Sequence, residues 1–449
     1  MKIHSTHRRS FIKQAAIVTG SFALPRFSVA QPAVSTGSKL RIACIGIGGV
    51  GANAVKGCLS EDVVALCDVD EDYAAPMFGL VPTARRFRDF REMFAKMGDQ
   101  IDAVTIATPD HSHFPIAMMA LNAGKHVFLE KPLAHRIEEI RLLQQAARKA
   151  GVITIMGNQG HSKEGIRLVK EWTDAGILGN VREVHAWTDT PVHGFFEVQS
   201  QFPPVTHPVP NTLDWDLWLG PARERPFSRS YLPKLWRGWW DFGSGMIGDN
   251  MPHTLDAPFW ALELGSPHKV DVEMPQEPTV YDTFHAKVIF HFAARGKRPP
   301  VKLFWHQGSK TPPQIPGIPE GTKLDRRGML MVGERQTLYA PGLFADSPRL
   351  LDEESWRKLR ASPIAKTIPR VKGSHYQEWI DGIRTNTPCG SNFDYGGSLS
   401  EIAVLGALAM HSGKSFEWDS AKLDITSHPE LNPMLRHMPR KGWDYRYNS

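Results

Sequence analysis

Three glycines and an acidic residue give the first indication of chemistry in this chain. Gly46, Gly48 and Gly51 follow a short apolar run at 40–45, and Asp68 ends a second apolar run 22 residues after Gly46. Strand, glycine turn, helix, strand and acid form an arrangement that binds a dinucleotide. The glycines allow a tight turn and close approach of the backbone to a pyrophosphate, and the carboxylate accepts hydrogen bonds from ribose hydroxyls. The helix that follows is expected to direct its N-terminal N–H groups at the phosphates.

Lys131, Asp249 and His253 are the candidates for acid–base chemistry. Lys131 follows the apolar run 126–129, which places it at the carboxyl end of a predicted strand, where ligands of open α/β sheets bind. Asp249 and His253 are four residues apart and share one face of a helix. An imidazole titrates near neutral pH, so His253 is expected to be the base that oxidation of a secondary alcohol requires. Asp249 would orient that base or the substrate.

Each of these three residues also has a structural explanation. Lys131 can instead be an ordinary surface lysine, Asp249 a helix N-cap and His253 a buried core histidine. If Lys131 does contact a reacting hydroxyl, its ammonium can stabilise the negative charge that develops there.

Alternating patterns predict the elements that must position these residues. In residues 39–155 apolar strands alternate with helical patterns, which predicts a parallel sheet with helices on both sides. The predicted strands are 40–45, 63–67, 103–107, 126–129 and 152–156, and the predicted helices are 86–97, 114–123 and 137–149.

The pattern changes after about residue 160. A helix at 165–175, a strand at 181–190 and an ordered Pro- and Trp-rich loop at 191–240 are followed by mixed elements. The further predicted strands are 269–272, 283–293, 301–307, 329–332 and 336–339, and the further helices are 246–264, broken near Pro252 and Pro258, 375–384 and 398–410. Short or Pro/Gly-rich connections favour a mostly antiparallel sheet, so we predict an α/β Rossmann domain followed by an α+β domain.

The N-terminal thirty residues resemble a twin-arginine export signal. Arg8 and Arg9 precede a mildly apolar stretch at 15–24 and a possible cleavage site at 28–30. The alternative is a disordered basic tail. We expect a signal at 1–30, a linker at 31–38, passage through the twin-arginine translocase and a periplasmic location.

Charge and cysteine content limit the possible partners. Five of the 53 Lys and Arg residues, but none of the 47 acidic residues, lie within 1–30, so the remaining chain is nearly neutral. This gives no reason to expect nucleic acid or membrane insertion. Three of the four cysteines, Cys44, Cys58 and Cys67, fall within the nucleotide motif. We expect no structural disulfide, and no Cys/His spacing suits a metal.

Further motifs resemble one protein family. Ala107-Thr108-Pro109-Asp-His-Ser-His113, Ala-Gly-Lys-His-Val leading to Glu130-Lys131-Pro, and a glycine-rich stretch ending in Asp249-x-x-x-His253 occur in this order. Together they are similar to signatures of the glucose–fructose oxidoreductase/inositol dehydrogenase (Gfo/Idh/MocA) family. The resemblance implies an NAD(P)-binding Rossmann domain at 39–160 and an open-faced, mostly antiparallel sheet domain for substrate binding and oligomerisation at 161–449.

The resemblance also implies site residues. Thr108 and Pro109 are expected near the nicotinamide ribose, and Glu130 is expected to touch the cofactor. Asn158 and Gln159 stand where the family usually has an Arg-containing segment, so their function can be binding or loop capping. The full expected cofactor set is Gly46, Gly48, Gly49, Val50, Gly51, Asp68, Thr108, Pro109, His113, Glu130, Lys131, Asn158 and Gln159.

The Trp-rich segment supplies candidates for substrate binding. Aromatic faces stack on sugar rings, so Trp236, Arg237 and Trp240, with Asp249, are expected to contact substrate, whereas the other tryptophans are expected in the core. This Trp-rich form resembles an exported subgroup of the family from glycan-degrading bacteria.

The resulting functional prediction is hydride transfer between a nicotinamide cofactor and a secondary hydroxyl of a sugar, glycoside or cyclitol, with the cofactor retained. Asp68 would repel a 2′-phosphate, which favours NAD over NADP. The alternatives are an NAD-dependent redox-neutral glycoside hydrolase or lyase and a non-catalytic sugar- or NAD-binding protein. The uncovered sheet face predicts a homodimer or homotetramer.

Overall fold

The computed structural model describes residues 38–445, except 190–195, 198, 200, 309–314, 316–317 and 319–320. The expected export signal, and the expected linker up to residue 37, lie outside the described residues. The described chain forms a six-stranded parallel sheet followed by a nine-stranded sheet that is antiparallel apart from one strand pair. This confirms the predicted fold class.

The first sheet has the strand order β3-β2-β1-β4-β5-β6, and each neighbouring pair is parallel. From β1 the chain adds β2 and β3 on one side of the sheet and then returns to add β4, β5 and β6 on the other side. This change of side between β1 and β4 opens a crevice at the carboxyl ends of these two strands. The elements are β1 Arg41–Ile45, α1 Gly51–Gly57, β2 Asp62–Cys67, α2 Glu71–Leu80, β3 Arg85–Phe87, α3 Phe90–Met97, β4 Ala103–Ile106, α4 Asp110–Asn122, β5 His126–Glu130, α5 Ile137–Ala150 and β6 Thr154–Gly157.

Two elements of this domain differ from the sequence-based expectation. Residues 86–97 were expected to form one helix, but a short strand ends at Phe87 and α3 begins at Phe90 because Asp89 caps it through the N–H of Arg91. The helix α2 was not predicted. Its N-cap is Asp70, which follows β2 by three residues and accepts a hydrogen bond from the backbone of Tyr73.

The second sheet has the order β13-β12-β11-β7-β10-β9-β8-β14-β15, and β7 and β10 are its parallel pair. Its strands are β7 Val181–Thr188, β8 Lys269–Glu273, β9 Ala286–Phe292, β10 Val301–Gln307, β11 Arg327–Gly333, β12 Thr337–Pro341, β13 Arg349–Leu350, β14 Phe416–Asp419 and β15 Asp424–Ile425. The helices of this half are α6 Glu164–Asp174, α7 Trp215–Leu219, α8 Gly245–Thr254, α9 Asp256–Leu262, α10 Glu353–Ala361, α11 His375–Thr385 and α12 Phe393–Ser412.

The helix break expected near Pro252 and Pro258 lies instead at Leu255, between α8 and α9. Pro258 lies in the first turn of α9, where a missing N–H costs nothing. Helix α11 packs on the first domain, because Tyr376, Trp379 and Ile380 join the core cluster of β1 and α1. The end of the chain therefore contributes to the packing of both halves.

The two faces of the second sheet differ. Helices α8 and α12 cover one face by packing on β7 to β10. On the other face, the rings of His185, Phe304 and His306 stack along the strands, with 4.6 Å between the ring centres of the first two. Within the described ranges, no helix combines the length and apolar character needed to cross a bilayer.

Candidate active site

A cavity of about 480 Å³ lies at the carboxyl ends of β1, β2, β4 and β5 and is closed on its other side by α8. Most of the residues predicted for the site line it. These are Gly46, Gly48, Gly49, Val50, Asp68, Thr108, Pro109, Glu130, Lys131, Gln159, Trp236, Arg237, Asp249 and His253. The structure therefore brings the predicted nucleotide turn and the predicted acid–base residues into one space.

The glycine turn has the conformation that its sequence predicts. Gly46 has a φ of +74°, which favours glycine. A Cβ on Gly51 would lie 1.7 Å from the carbonyl oxygen of Gly46, so Gly51 packs beneath the turn and does not line the cavity. A Cβ on Gly48 would lie 2.2 Å from the ring of Tyr73. In this structure it is therefore the Tyr73 ring that packs against the backbone of Gly48 and leaves no room for a side chain there.

Backbone groups hold the carboxylate of Asp68. One oxygen accepts the N–H groups of Ile47, at 2.8 Å, and Gly48, at 3.1 Å, and the other accepts the N–H of Asp70 at 3.0 Å. A carboxylate has about four acceptor positions, so one remains for a ribose hydroxyl. Burial raises the pKa of Asp68 to about 6, although these backbone hydrogen bonds oppose the increase.

The turn after β4 also fits a nucleotide. Thr108 and Pro109 line the cavity, and the buried hydroxyl of Thr108 has no hydrogen-bond partner. Such a group needs a partner, which a ribose hydroxyl can supply. His113, in contrast, lies away from the cavity, with its ring nitrogens 2.9 Å from the carbonyl oxygens of Thr108 and Pro132. It connects the two turns that line the site, so its predicted cofactor contact is corrected to a positioning function.

The neighbouring residues Asn158 and Gln159 have different surroundings. Gln159 donates a hydrogen bond of 2.8 Å to Glu130, and both line the cavity. Burial raises the pKa of Glu130 to about 7, against the opposing charge of Lys131. Asn158 is fully buried and donates to Asp256 on α9 at 2.9 Å. The structure therefore places Asn158 in a buried polar network and not among the residues that line the cavity.

Lys131 and Asp249 form an ion pair across the two domains. The Lys131 Nζ atom lies 2.6 Å from Asp249 Oδ1 and also donates to the carbonyl oxygen of Asp249 at 2.8 Å. The Nε–H of Arg237 donates to the same carboxylate oxygen at 3.2 Å. Burial acts to raise the pKa of Asp249, but the charges of Lys131 and Arg237 outweigh it and hold this pKa well below its usual range. Asp249 is therefore an ionised acceptor and not a helix cap.

His253 lies one helical turn after Asp249 and lines the cavity. Burial, assisted by the charge of Lys131, lowers the pKa of His253 to about 3, so the ring is neutral at physiological pH. Its buried Nδ1 atom has no hydrogen-bond partner. The ring of Phe344 contacts it edge-on at 5.0 Å between centres and limits its orientation.

The candidates for substrate binding separate into two groups. Trp236 and Arg237 line the cavity, and the guanidinium of Arg237 lies 4.4 Å from the centre of the Trp236 ring. Trp240 is buried and stacks on His411 at 5.5 Å. It does not line the cavity, so its predicted substrate contact is corrected to core packing.

Several lining residues were not predicted from the sequence. Asp110 begins α4 beside Thr108-Pro109, and burial raises its pKa to about 7 against the charge of Lys131. The others include Tyr73, Phe90, Lys234, Asn250, Arg327, Phe344 and Trp443. For Asp110, its position next to the Thr-Pro turn was an available signal, whereas Arg327 and Trp443 lie far from any motif.

Comparison with known proteins agrees with this arrangement of a nucleotide cavity between a Rossmann domain and an α/β domain. Residues 40–158 match the model described as oxidoreductase family, NAD-binding Rossmann fold, and residues 163–297 match the family's C-terminal alpha/beta domain. Together the two matches cover more than half of the chain. The chain belongs to the Gfo/Idh/MocA oxidoreductase family, which confirms the predicted family and its NAD-binding domain.

Individual relatives match over shorter stretches. A 1-carboxy-3-chloro-3,4-dihydroxycyclohexa-1,5-diene dehydrogenase from Comamonas testosteroni is 38% identical over 90 residues, which cover 20% of this chain and 23% of the relative. A glycosyl hydrolase family 109 protein from Shewanella sp. is 27% identical over 209 residues, which cover 40% of this chain and 45% of the relative. The chain thus spans less than half the length of either relative.

Among solved structures, the WlbA dehydrogenase from Bordetella pertussis, in complex with NADH and UDP-GlcNAcA, has a TM-score of 0.59 and 18% identity. The alignment covers 86% of this chain and 99% of that protein. At this identity the similarity supports the fold of both domains.

Proposed function

We propose that the protein is an NAD-dependent oxidoreductase that acts on a secondary hydroxyl of a sugar, glycoside or cyclitol. The observation that carries this proposal is the 2.6 Å ion pair between Lys131 and Asp249, formed beside His253 in the cavity that contains the nucleotide turn. The names of similar proteins support the substrate class, because they include a dehydrogenase of a dihydroxylated ring and a dehydrogenase bound to NADH and a UDP-sugar acid.

The residues divide the chemistry between them. NAD, when bound, takes the hydride from the carbon that carries the hydroxyl. The Lys131 ammonium has three donors, and two of them are used by Asp249, so the third can donate to the substrate oxygen and stabilise its negative charge. Neutral His253 has a lone pair that can accept the hydroxyl proton. The resulting imidazolium is stabilised by the negative charge of Asp249, which acts to raise the pKa of His253.

The residues around Asp68 support NAD over NADP. The carboxylate and the nearby Asp70 would repel a 2′-phosphate. Arg88 is a cation at this end of the cavity, but it is paired with Glu71 at 2.8 Å. Tighter binding of NADP than of NAD by the unaltered protein would contradict this preference.

A second candidate is a redox-neutral glycoside hydrolase or lyase that uses NAD without net turnover. The match to a glycosyl hydrolase family 109 protein favours it. The two reactions differ in their products, because only the dehydrogenase yields a ketone and one equivalent of reduced nucleotide.

The decisive experiment combines two measurements. Ligand released from the purified, denatured protein is identified by mass spectrometry, and a panel of sugars, glycosides and cyclitols is then tested with added NAD. We expect bound NAD and the appearance of reduced-nucleotide absorbance at 340 nm with one or more of these compounds. Release of a phenol from a chromogenic glycoside without net reduction of NAD would instead establish the hydrolase or lyase reaction.

We also propose export and assembly, as extensions of the sequence analysis. Arg8 and Arg9 are proposed to direct the folded protein through the twin-arginine translocase to the periplasm, where NAD that dissociates cannot be replaced from a cytoplasmic pool. This predicts loading before export and an affinity tighter than about 1 µM. The stacked rings on the face of the second sheet opposite α8 and α12 are proposed to pack in a homodimer or homotetramer. Cell fractionation of an Arg8→Lys/Arg9→Lys variant and light scattering test these two proposals, and a cytoplasmic wild type or a monomer would contradict them.

A further inference from the structure

The cavity has wall residues that the nucleotide motif does not account for. Asp68 marks the ribose of the adenosine half of NAD, so the space beyond it would receive the adenine base. Both domains contribute apolar residues to the cavity wall, through Val69, Phe90, Ile116, Leu217, Trp218 and Trp443. Three of these six residues come from the second domain.

A segment of the second domain pairs with the chain directly after Asp68. The N–H of Glu71 donates to the carbonyl oxygen of Thr212 at 3.0 Å, and the N–H of Asp214 donates to that of Val69 at 2.9 Å. Asp70 and Leu213 form an antiparallel bridge between these bonds. Helix α7 starts immediately afterwards and brings Trp218 to the cavity, so the adenosine end is covered by residues 212–220.

The C-terminal segment is fastened to this cover. The guanidinium of Arg440 donates to the carbonyl oxygen of Gly220 at 2.5 Å and to the carboxylate of Asp216 at 2.5 Å. The backbone N–H of Arg440 also donates to the carbonyl oxygen of Pro221 at 3.2 Å. Residues 440–445 therefore lie across residues 216–221 and reach the first domain.

Trp443 occupies the contact between this segment and the first domain. Its ring is 6% exposed and lies 6.1 Å from the ring of Phe90, at an angle of 50°. The guanidinium of Arg91 lies 4.4 Å from the centre of the Trp443 ring and is itself held by Asp89 at 2.6 Å. Phe90 and Arg91 of the first domain therefore hold the Trp443 ring in position, and the same ring forms part of the cavity wall.

We infer that Trp443 forms an aromatic contact for the adenine base and that residues 440–445, fastened by Arg440, hold NAD in the protein by covering its adenosine half. An aromatic ring stacks on a nucleobase without regard to its hydrogen-bonding edge, which suits a wall that must retain a cofactor. This inference rests on the proposed binding of NAD in the cavity. It explains how an exported protein can keep NAD through slow release.

Binding experiments with the full-length protein test the inference. NAD dissociation is followed by displacement with excess NADH, and affinities are measured for NAD and for nicotinamide mononucleotide, which lacks the adenosine half. For Trp443→Ala we expect NAD to dissociate about five- to a hundredfold faster, the range that loss of a base-stacking ring produces. The affinity for nicotinamide mononucleotide should stay unchanged. Trp418→Ala is the matched control, because Trp418 is equally buried but does not line the cavity.

A second pair of variants tests the fastening by Arg440, whose guanidinium also faces the Trp443 ring at 5.7 Å, without removing that ring from the chain. Arg440→Ala should also accelerate NAD dissociation, whereas Arg436→Ala should not, because Arg436 pairs with Glu138 away from the cover. Unchanged NAD dissociation in Trp443→Ala and Arg440→Ala would overturn the inference and leave the proposed function intact. Equal weakening of NAD and nicotinamide mononucleotide would also overturn it, since it would show a purely structural effect. A wild type that binds neither compound would overturn both proposals.

Discussion

The two ends of the cavity hold half-buried carboxylates in opposite ways. At the ribose end, Asp68 is held by backbone N–H groups, and burial raises its pKa to about 6. At the reaction end, burial acts to raise the pKa of Asp249 too, but Lys131 and Arg237 outweigh it and the pKa stays well below its usual range. The comparison shows that two cations in direct contact with a carboxylate can outweigh burial at Asp249, whereas backbone hydrogen bonds alone do not outweigh it at Asp68.

The two ends also differ in how they are assembled. The ribose end joins Asp68 to a turn 20 to 21 residues earlier in the same domain. The reaction end joins Lys131 to a residue 118 positions away, on a helix of the other half of the chain. We therefore expect variants at the two ends to separate nucleotide binding from catalysis.

The largest expected effect is at the reaction end. Lys131→Ala and His253→Asn should each lower kcat about a hundredfold or more, as loss of an acid–base group does. NAD affinity should remain close to that of the wild type, because neither residue lies at the adenosine half. Steady-state kinetics and calorimetric NAD titrations measure the two quantities. Lys125→Ala is the matched control, since Lys125 belongs to the same motif but does not line the cavity. Normal turnover by His253→Asn would leave His253 with a structural function and require another base.

The next effect is at the ribose end. Asp68→Asn should weaken NAD binding by about 1.5–3 kcal/mol, the range for a hydrogen bond to a charged group, while kcat at saturating NAD changes little. Asp62→Asn, at the exposed start of the same strand, is the control. The thermal melting temperature should be measured in parallel because Asp68 also holds the glycine turn. An Asp68→Asn variant with wild-type NAD affinity would show that the ribose is held elsewhere.

The smallest effect is a pH dependence that distinguishes the two carboxylates. The carboxyl of Asp68 is ionised above its pKa of about 6 and becomes protonated below it. NAD affinity should therefore fall as the pH decreases through 6, by up to about tenfold per pH unit. The carboxylate of Asp249 should stay ionised over the same range, because its pKa is lowered. Titrations between pH 5 and 8 test this, and persistence of the same dependence in Asp68→Asn would assign it to Glu130 or Asp110.

Most of the fold was predictable where strands and helices have simple patterns. Five of the six strands of the first sheet were recognised because buried parallel strands form short apolar runs between helical segments, whereas β3 has only three residues and was assigned to the helix that follows it. Helix α2 was missed because it contains Pro76 and lacks a clear apolar face, and its start depends on capping by Asp70. The side chains of His113, Asn158 and Trp240 were expected at the site, and the structure does not place them at the cavity. Their sequence neighbourhoods were correct, but the side chains turn away from the cavity and satisfy polar or packing requirements of the core.

The sequence by itself determined the nucleotide turn, because its glycines and Asp68 are constrained by local backbone geometry, which leaves a short motif with fixed spacing. It also indicated Lys131, Asp249 and His253 as chemical groups. Only the tertiary structure decided that these three share one cavity and that Arg237 joins the ion pair. It also brought Trp443 and Arg440 from the end of the chain to the adenosine half. The physical reason is that long-range contacts and burial set the charge state and surroundings of a side chain, and neither depends on the residues next to it in the sequence.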